Sequence, residues 1–269
     1  MTGAALAANA ANNARGQHAR RRRWRPARDA AWALLEDLVT DGARVAVVGA
    51  GNGDDLPLGR LARRCARLDL IDLDGAALAG AVALAGGPAR ALVEDVTGGA
   101  ADAVIAAAVG GAEEEAGADP VVPAGPIGDG SYDVVVCDLV LTQLLYPALK
   151  AAGTLSGPRI DGVLLAHGQR LTDGVVARLH ASAPVVVILH DLLGWWKGHQ
   201  QPFALDRLLR APAAEALALS RHGGSLPYGC DPWLATRASG ARVTATRHWR
   251  WPFAPGADYL VFGLVTTRG

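Results

Sequence analysis

The sequence of 269 residues is poor in the groups that would make several functions easy to read. Its three cysteines, Cys65, Cys137 and Cys230, are scattered. An odd, dispersed set excludes a disulfide framework and a zinc ligand set, and it suits a reducing, cytoplasmic setting. Net charge is absent: 26 Lys+Arg balance 26 Asp+Glu, which argues against a protein-wide basic surface for duplex nucleic acid. No uncharged apolar run reaches the ~18 residues of a membrane span. The N-terminus lacks an apolar core followed by a cleavage site, so no signal peptide is expected. Lysine is almost missing, with Lys150 and Lys197 the only two. Together with abundant Ala and Gly this is a compositional bias without functional content. What is present is a globular composition, 51% apolar and 19% charged, long enough for one large α/β domain or two small ones.

Residues 1–25 are Ala/Asn-rich, then Arg-rich, without an apolar period, and are expected to be a mobile basic tail. From 26 to 269 one domain is expected. A helical stripe over 26–39 comes first, with Pro26 in its opening turn. Short strands are then expected at 44–48, 67–71, 91–93, 132–137 and 184–189. Helical patterns lie between them at 56–66, 75–85, 100–109, 139–151 and 171–180. The strands are continuous Val/Ile/Leu runs, which implies a parallel sheet buried on both faces. Two last strands, 242–251 and 258–267, flank turn chemistry at 252–256 and read as an antiparallel hairpin. The whole is therefore a doubly wound, mostly parallel seven-stranded α/β sheet. The segment 192–240 has no clear period and is expected to be a lid or substrate insertion. No internal repeat is present.

The sharpest local signal is Gly49-Ala-Gly51-Asn-Gly53-Asp54-Asp55 between a strand and a helix. Glycines there allow a tight turn and a close approach of backbone to ligand. The spacing is G-x-G-x-G, and Asp54 stands where a dinucleotide fingerprint has its third Gly or Ala. Two acids at that spot also oppose a pyrophosphate, which wants the positive helix N-terminus. An ammonium or sulfonium cation suits them better.

On these residues the chain resembles the class I S-adenosylmethionine-dependent methyltransferases. Gly49, Gly51 and Gly53 match the family's glycine loop. Asp72, in Ile71-Asp72-Leu73-Asp74, matches the acid that holds the ribose hydroxyls. Asp95 and Val96 match the adenine-binding position after the third strand. Tyr132 to Leu139, containing Asp138, matches the fourth-strand signature, and the terminal hairpin matches the family's reversed last strand. The loop and the following Asp-Leu-Asp are similar to bacterial methyltransferase-like proteins of unassigned substrate. One departure is Val47 and Val48 where the family often carries an acid; Asp54 and Asp55 are expected to supply that charge. The resemblance implies S-adenosylmethionine as cofactor and methyl transfer; separately, His167, His180, His190 and His199 show no metal-ligand spacing, and no metal is expected.

In open α/β sheets ligands sit beyond the carboxyl ends of the strands, at the switch point. That selects Asp138, Thr142 and Gln143 after the fourth strand, and His190, Asp191, Trp195 and Trp196 after the fifth. His190 is expected as a general base oriented by Asp191. Gln143, Trp195, Trp196, Tyr228 and Arg28 are expected on the acceptor side, Arg28 as partner of a carboxylate. The C-terminal third holds most of the aromatics and fits a small-molecule acceptor better than nucleic acid. Structural readings stand beside these: Asp95 as a turn residue of Thr97-Gly98-Gly99, Asp138 as a helix cap, His190 as a satisfied core histidine, and the tryptophans as packing. Other functions on the table are a non-catalytic cofactor-binding protein, an aminopropyl transferase on the same fold, and a nicotinamide oxidoreductase, which the glycine spacing disfavours.

Overall fold

The computed structural model describes residues 3–14, 17–111, 121–199, 201–221 and 229–268. Three helices open the chain, α1 (Ala4–Asn13), α2 (Gln17–Arg23) and α3 (Arg25–Leu35). Strands and helices then alternate: β1 (Ala43–Val48), α4 (Leu58–Arg64), β2 (Cys65–Asp72), α5 (Gly75–Ala85), β3 (Ala89–Val93), α6 (Ala100–Gly110) and β4 (Val134–Asp138). After α7 (Tyr146–Ala152), α8 (Gly157–Ser182) leads to β5 (Val185–Trp196). The short helices α9 (Leu205–Arg210), α10 (Ala213–Ser220) and α11 (Pro232–Ala238) precede the hairpin of β6 (Ala241–Ala254) and β7 (Ala257–Arg268).

The seven strands order as β3-β2-β1-β4-β5-β7-β6. β1 to β5 pair in parallel, and β7 lies antiparallel to both β5 and β6. This is the doubly wound sheet with a terminal hairpin that the sequence implies. Side chains of the central strands alternate between two cores. Ala46, Val48, Val135, Cys137, Val186 and Ile188 face the layer that contains α6, α7 and α8. Val45, Val47, Val134, Val136, Val187 and Leu189 face α3, α4 and α5. Burial on both faces is why these strands read as unbroken β-branched runs. Crossovers leave β1 and β4 toward opposite layers, so the gap between their carboxyl ends is the natural ligand cleft.

Three expectations need correction. Residues 1–25 are not a tail without structure: α1 and α2 occupy most of them. The run Ala4–Asn13 is built of strong helix formers with almost no bulk. It lies flush on α6 and α7, burying Ala5 and Ala8, and the Asp102 carboxylate accepts from the Ala5 N–H at 3.0 Å. Second, α8 begins at Gly157, well before 171, because Pro158 opens it and its interior glycines thin the apolar stripe without breaking it. Third, the described residues of 192–240 are not an irregular insertion. β5 runs on to Trp196, since β7 pairs with it as far as Trp196↔Ala257. The rest of the described segment is largely α9, α10 and α11. Among the described residues no helix is long and apolar enough to cross a membrane.

Candidate active site

A cavity of about 570 Å³ opens at the carboxyl ends of β1 and β4. Its size is that of a small-molecule or cofactor site. The turn after β1 forms one wall. Gly49, Gly51 and Gly53 all have positive φ, at 81°, 45° and 66°. A Cβ on Gly49 would stand 2.0 Å from the Val140 Cγ2 and 2.9 Å from the Asp138 carbonyl oxygen, so the turn nests against the end of β4 only without a side chain. Gly51 directs its N–H to the Asp72 Oδ2 at 2.9 Å.

Asp72 ends β2 and lines the cavity. Its Oδ1 accepts from the Asp74 N–H at 2.9 Å, so one carboxylate ties the glycine turn to the start of α5. Burial raises its pKa against those backbone donors. Asp74 caps α5 through the Ala76 and Ala77 N–H groups and also accepts from the Asn13 side chain at 3.0 Å. The Asn52 side-chain amide donates to the Asn13 carbonyl at 2.7 Å. The end of α1 is thereby clamped over the cavity.

Asp95 and Val96 line the same cavity beyond β3. The Asp95 carboxylate accepts from the Thr97 N–H (2.8 Å), the Thr97 hydroxyl (2.7 Å) and the Gly99 N–H (2.6 Å), which is the turn role weighed from sequence. Glu94 beside it accepts from Arg178 at 2.8 Å and from the Gly128 N–H at 2.8 Å.

Beyond β4 the chain turns at Leu139, the one non-glycine among the described residues with positive φ (56°). A bulky residue in that region is strained, and such strain gathers at functional sites. Asp138 is 2% exposed and lines the cavity, and no backbone N–H, side-chain amide, hydroxyl or cation of a described residue reaches either carboxylate oxygen. It caps no helix: the 3₁₀ turn starts only at Leu141. The group that faces it is the Asp55 carboxyl. Burial pushes both pKa values up, and each acid reinforces the other, so the pair keeps a proton. Asp54, next in line, is answered by Arg20 at 3.1 Å and Arg21 at 3.6 Å.

The far end of the cavity is built by β5. Asp191 accepts from the Thr142 hydroxyl at 2.6 Å. Burial pushes its pKa up to about 7 against that hydrogen bond. Gln143 also lines the cavity, its amide held by the Leu139 carbonyl at 2.9 Å. Tyr146 and Tyr259 complete this end.

His190 does not line this cavity. It shares the strand parity of Ile188 and Leu192, which lie in the α8 core, and it is 1% exposed. Burial drives its pKa down to about 3, and both ring nitrogens lack partners. A register shift between Asp191 and Leu193 breaks the strand at this point, and bulges of this kind re-aim side chains beside active sites. Trp195 and Trp196 are corrected too. The Trp195 indole donates to the Phe203 carbonyl at 3.1 Å, and Trp196 stacks on His199 with ring centroids 4.0 Å apart; neither lines the cavity. Arg28 lies outside the cavity as well, its guanidinium held by the Asp54 and Arg21 carbonyl oxygens. Tyr228 lies outside the described residues.

No described residue of 192–240 roofs the cavity. The roof is α1, α2 and the hairpin. Asn9, Asn12 and Asn13 face it from α1, and Arg20 from α2 donates to the Asn12 and Asn13 carbonyls at 3.0 and 2.9 Å. Trp24 packs on Trp251 and Phe253 (centroids 4.9 and 5.9 Å), and its indole donates to the Phe253 carbonyl at 3.0 Å. The signal for the α1 wall is in the sequence: Ala5, Asn9, Asn12 and Asn13 recur at helical spacing on one face, and all four line the cavity. Among the described residues no group of three His, Cys, Asp or Glu side chains is arranged to hold a metal ion.

The sequence matches no protein-family model and no curated protein. Solved structures of similar shape include a SAM-dependent methyltransferase from Methanosarcina mazei (12% identity, TM-score 0.47, covering 87% of this chain and 96% of that one). A SAM-dependent methyltransferase from Aquifex aeolicus aligns at 13% identity and TM-score 0.43, covering 90% of both chains. An N-methyltransferase from Bradyrhizobium japonicum aligns at 9% identity and TM-score 0.45, covering 91% of this chain and 98% of that one. The fold itself rests on the strand order and crossovers above.

Proposed function

We propose that this chain is an S-adenosylmethionine-dependent methyltransferase with a small-molecule acceptor. One observation carries the reading: a single cavity joins the glycine turn, Asp72, Asp95–Val96 and Asp138 to a second polar end at Asp191 and Thr142. The residues present suit this cofactor. Asp138 and Asp55 form a buried acidic wall with no counter-cation of its own, which favours a ligand bearing sulfonium and ammonium charge. Asp72 would hold the ribose hydroxyls, the Val96 backbone and Asp95 the adenine edge, and Arg20, not Arg28, the carboxylate.

When bound, the cofactor supplies an electrophilic methyl group on a sulfonium. The chain's own residues do the rest. The Thr142 hydroxyl fixes one Asp191 oxygen and leaves the other for the acceptor. A carboxylate poised near neutrality takes a proton from an acceptor N–H or O–H at modest cost. Trp251, Phe253 and Tyr259 wall the cavity with aromatic surface, which excludes water and aligns the lone pair for in-line attack.

Calorimetric titration of the full chain with S-adenosylhomocysteine and NAD tests the cofactor. Saturable binding of the first alone, weakened about a hundredfold by Asp72→Ala, supports the reading; NAD binding overturns it. Transfer of a labelled methyl group into fractionated metabolites, compared with total RNA, tests the acceptor class. Binding without turnover on any fraction would leave a non-catalytic cofactor-binding protein.

A second reading is favoured by the excess of acids at the glycine turn. A decarboxylated cofactor would offer Asp54, Asp55 and Asp138 cations only, as an aminopropyl transferase requires. Tighter binding of the decarboxylated form than of S-adenosylmethionine would select it.

A further inference from the structure

A second recess, of about 370 Å³, lies beside the glycine turn between α2–α3 and α4. Arg21, Arg25, Arg28, Arg60 and Arg63 line it, with Asp29 the one acid. The chain has no net charge, so this concentration is placement and not composition. Asp29 is shared between Arg60 at 3.1 Å and Arg25 at 3.8 Å. Arg21 reaches only the edge of Asp54, at 3.6 Å, and that carboxylate is already met by Arg20. The Arg28 guanidinium is held by two backbone carbonyl oxygens and has no carboxylate within ion-pair distance among the described residues. Burial, then the neighbouring Arg21, lowers its pKa against the more distant carboxylates of Asp54, Asp29 and Asp55. No carboxylate pairs with Arg63 among the described residues.

We propose that this recess binds a small polyphosphate-class anion, a di- or triphosphate group. Guanidinium forks match phosphate oxygens two at a time, and converging forks select anions with several such oxygens over a single carboxylate. The positive stretch is compact, which argues against a nucleic-acid track. Arg64, one residue on, is closed by Asp41 at 3.1 Å, and Arg44 by Asp133 at 3.2 Å. The site stands independently of methyl transfer.

Calorimetry of the full chain at fixed ionic strength decides it, with inorganic tripolyphosphate, inorganic pyrophosphate and a 20-nucleotide single-stranded RNA as probes. Saturable 1:1 tripolyphosphate binding is expected, weakened at least about tenfold by Arg60→Gln/Arg63→Gln and less than about twofold by Arg44→Gln. Arg60 and Arg63 are exposed, so the double variant keeps the fold, checked by circular dichroism. No saturable binding, equal weakening by Arg44→Gln, or RNA binding tighter than tripolyphosphate overturns the proposal.

Discussion

Asp191→Asn separates the two neighbours that sequence paired as one catalytic unit, and it does so without knowledge of the acceptor. Burial lifts the Asp191 carboxyl from an ordinary 3.8 to about 7. A carboxyl whose folded pKa exceeds its unfolded one holds its proton longer in the folded chain. Between about pH 4 and about 7 the folded state therefore carries the extra proton, and raising the pH removes stability. The full loss is about 4 kcal/mol as an upper bound, with about 2.5 kcal/mol of it falling between pH 5 and pH 8. Asparagine keeps the shape and still accepts from the Thr142 hydroxyl, but it never ionises. Urea unfolding followed by tryptophan fluorescence at the two pH values gives the comparison, and every other titrating group cancels in the difference. The variant should gain on the natural chain by roughly 1–3 kcal/mol on going from pH 5 to pH 8. An unchanged difference, or one of opposite sign, would refute both the desolvated state of Asp191 and its role as proton acceptor.

The opposite sign is expected at His190. Its folded pKa lies near 3, below the ordinary 6.5, so its contribution is lost as pH falls through that window. His190→Leu should stabilise by about 2 kcal/mol more at pH 5 than at pH 8 and leave S-adenosylhomocysteine affinity within about twofold, read by unfolding and calorimetry. Gly49→Ala and Gly42→Ala share a left-handed φ of 81° and 82°, but only the first meets atoms within 4 Å. The second should cost about 1–2 kcal/mol and the first about 3 kcal/mol or more, with loss of cofactor binding, measured as melting temperature and affinity. Trp24→Ala should cost about 3–5 kcal/mol and open the roof, seen as weaker S-adenosylhomocysteine binding; unchanged affinity would mean that the hairpin closes the cavity alone.

How much of this was legible follows from the kind of burial involved. Strands β1, β4 and the first half of β5 are buried on both faces, so Val45–Val48 and Val134–Val136 announce themselves as apolar runs, and the acids and glycines that end them mark the ligand edge. The second half of β5 does not. His190-Asp191-Leu-Leu-Gly194-Trp195-Trp196 carries a bulge and a glycine, and its extension depends on β7, sixty residues later, supplying hydrogen bonds. Gly194 is there for room: a Cβ would stand 2.5 Å from the Trp196 ring and 2.9 Å from the Tyr259 ring. Strand parity decides which of two adjacent polar residues faces the cavity, and because both faces of β5 are buried its apolar run does not mark which parity that is. His190, in step with Val186 and Ile188, falls on the α8 side. The roof was hidden for another reason. Alanine and asparagine give no hydropathy signal, yet a helix of such small residues packs closely enough to put Asn13 against Asp74.

Charge shows the same limit at the scale of the whole molecule. A net charge of zero excludes a uniform field, but here it conceals two recesses of opposite character that share a wall. On one side Asp54, Asp55, Asp138 and Asp191 face the cavity, and on the other five arginines face the groove. The wall is held by Arg28 on the Asp54 carbonyl and by Arg20 and Arg21 on its carboxylate. Segregation of this kind has an electrostatic cost that random placement of the same residues would avoid, because like charges desolvated together repel. Among the described residues, Asp55 and Asp138 on one side and Arg28 and Arg63 on the other are left without an ion-pair partner, which agrees with the two ligands proposed: a cation over the glycine turn and an anion beside it.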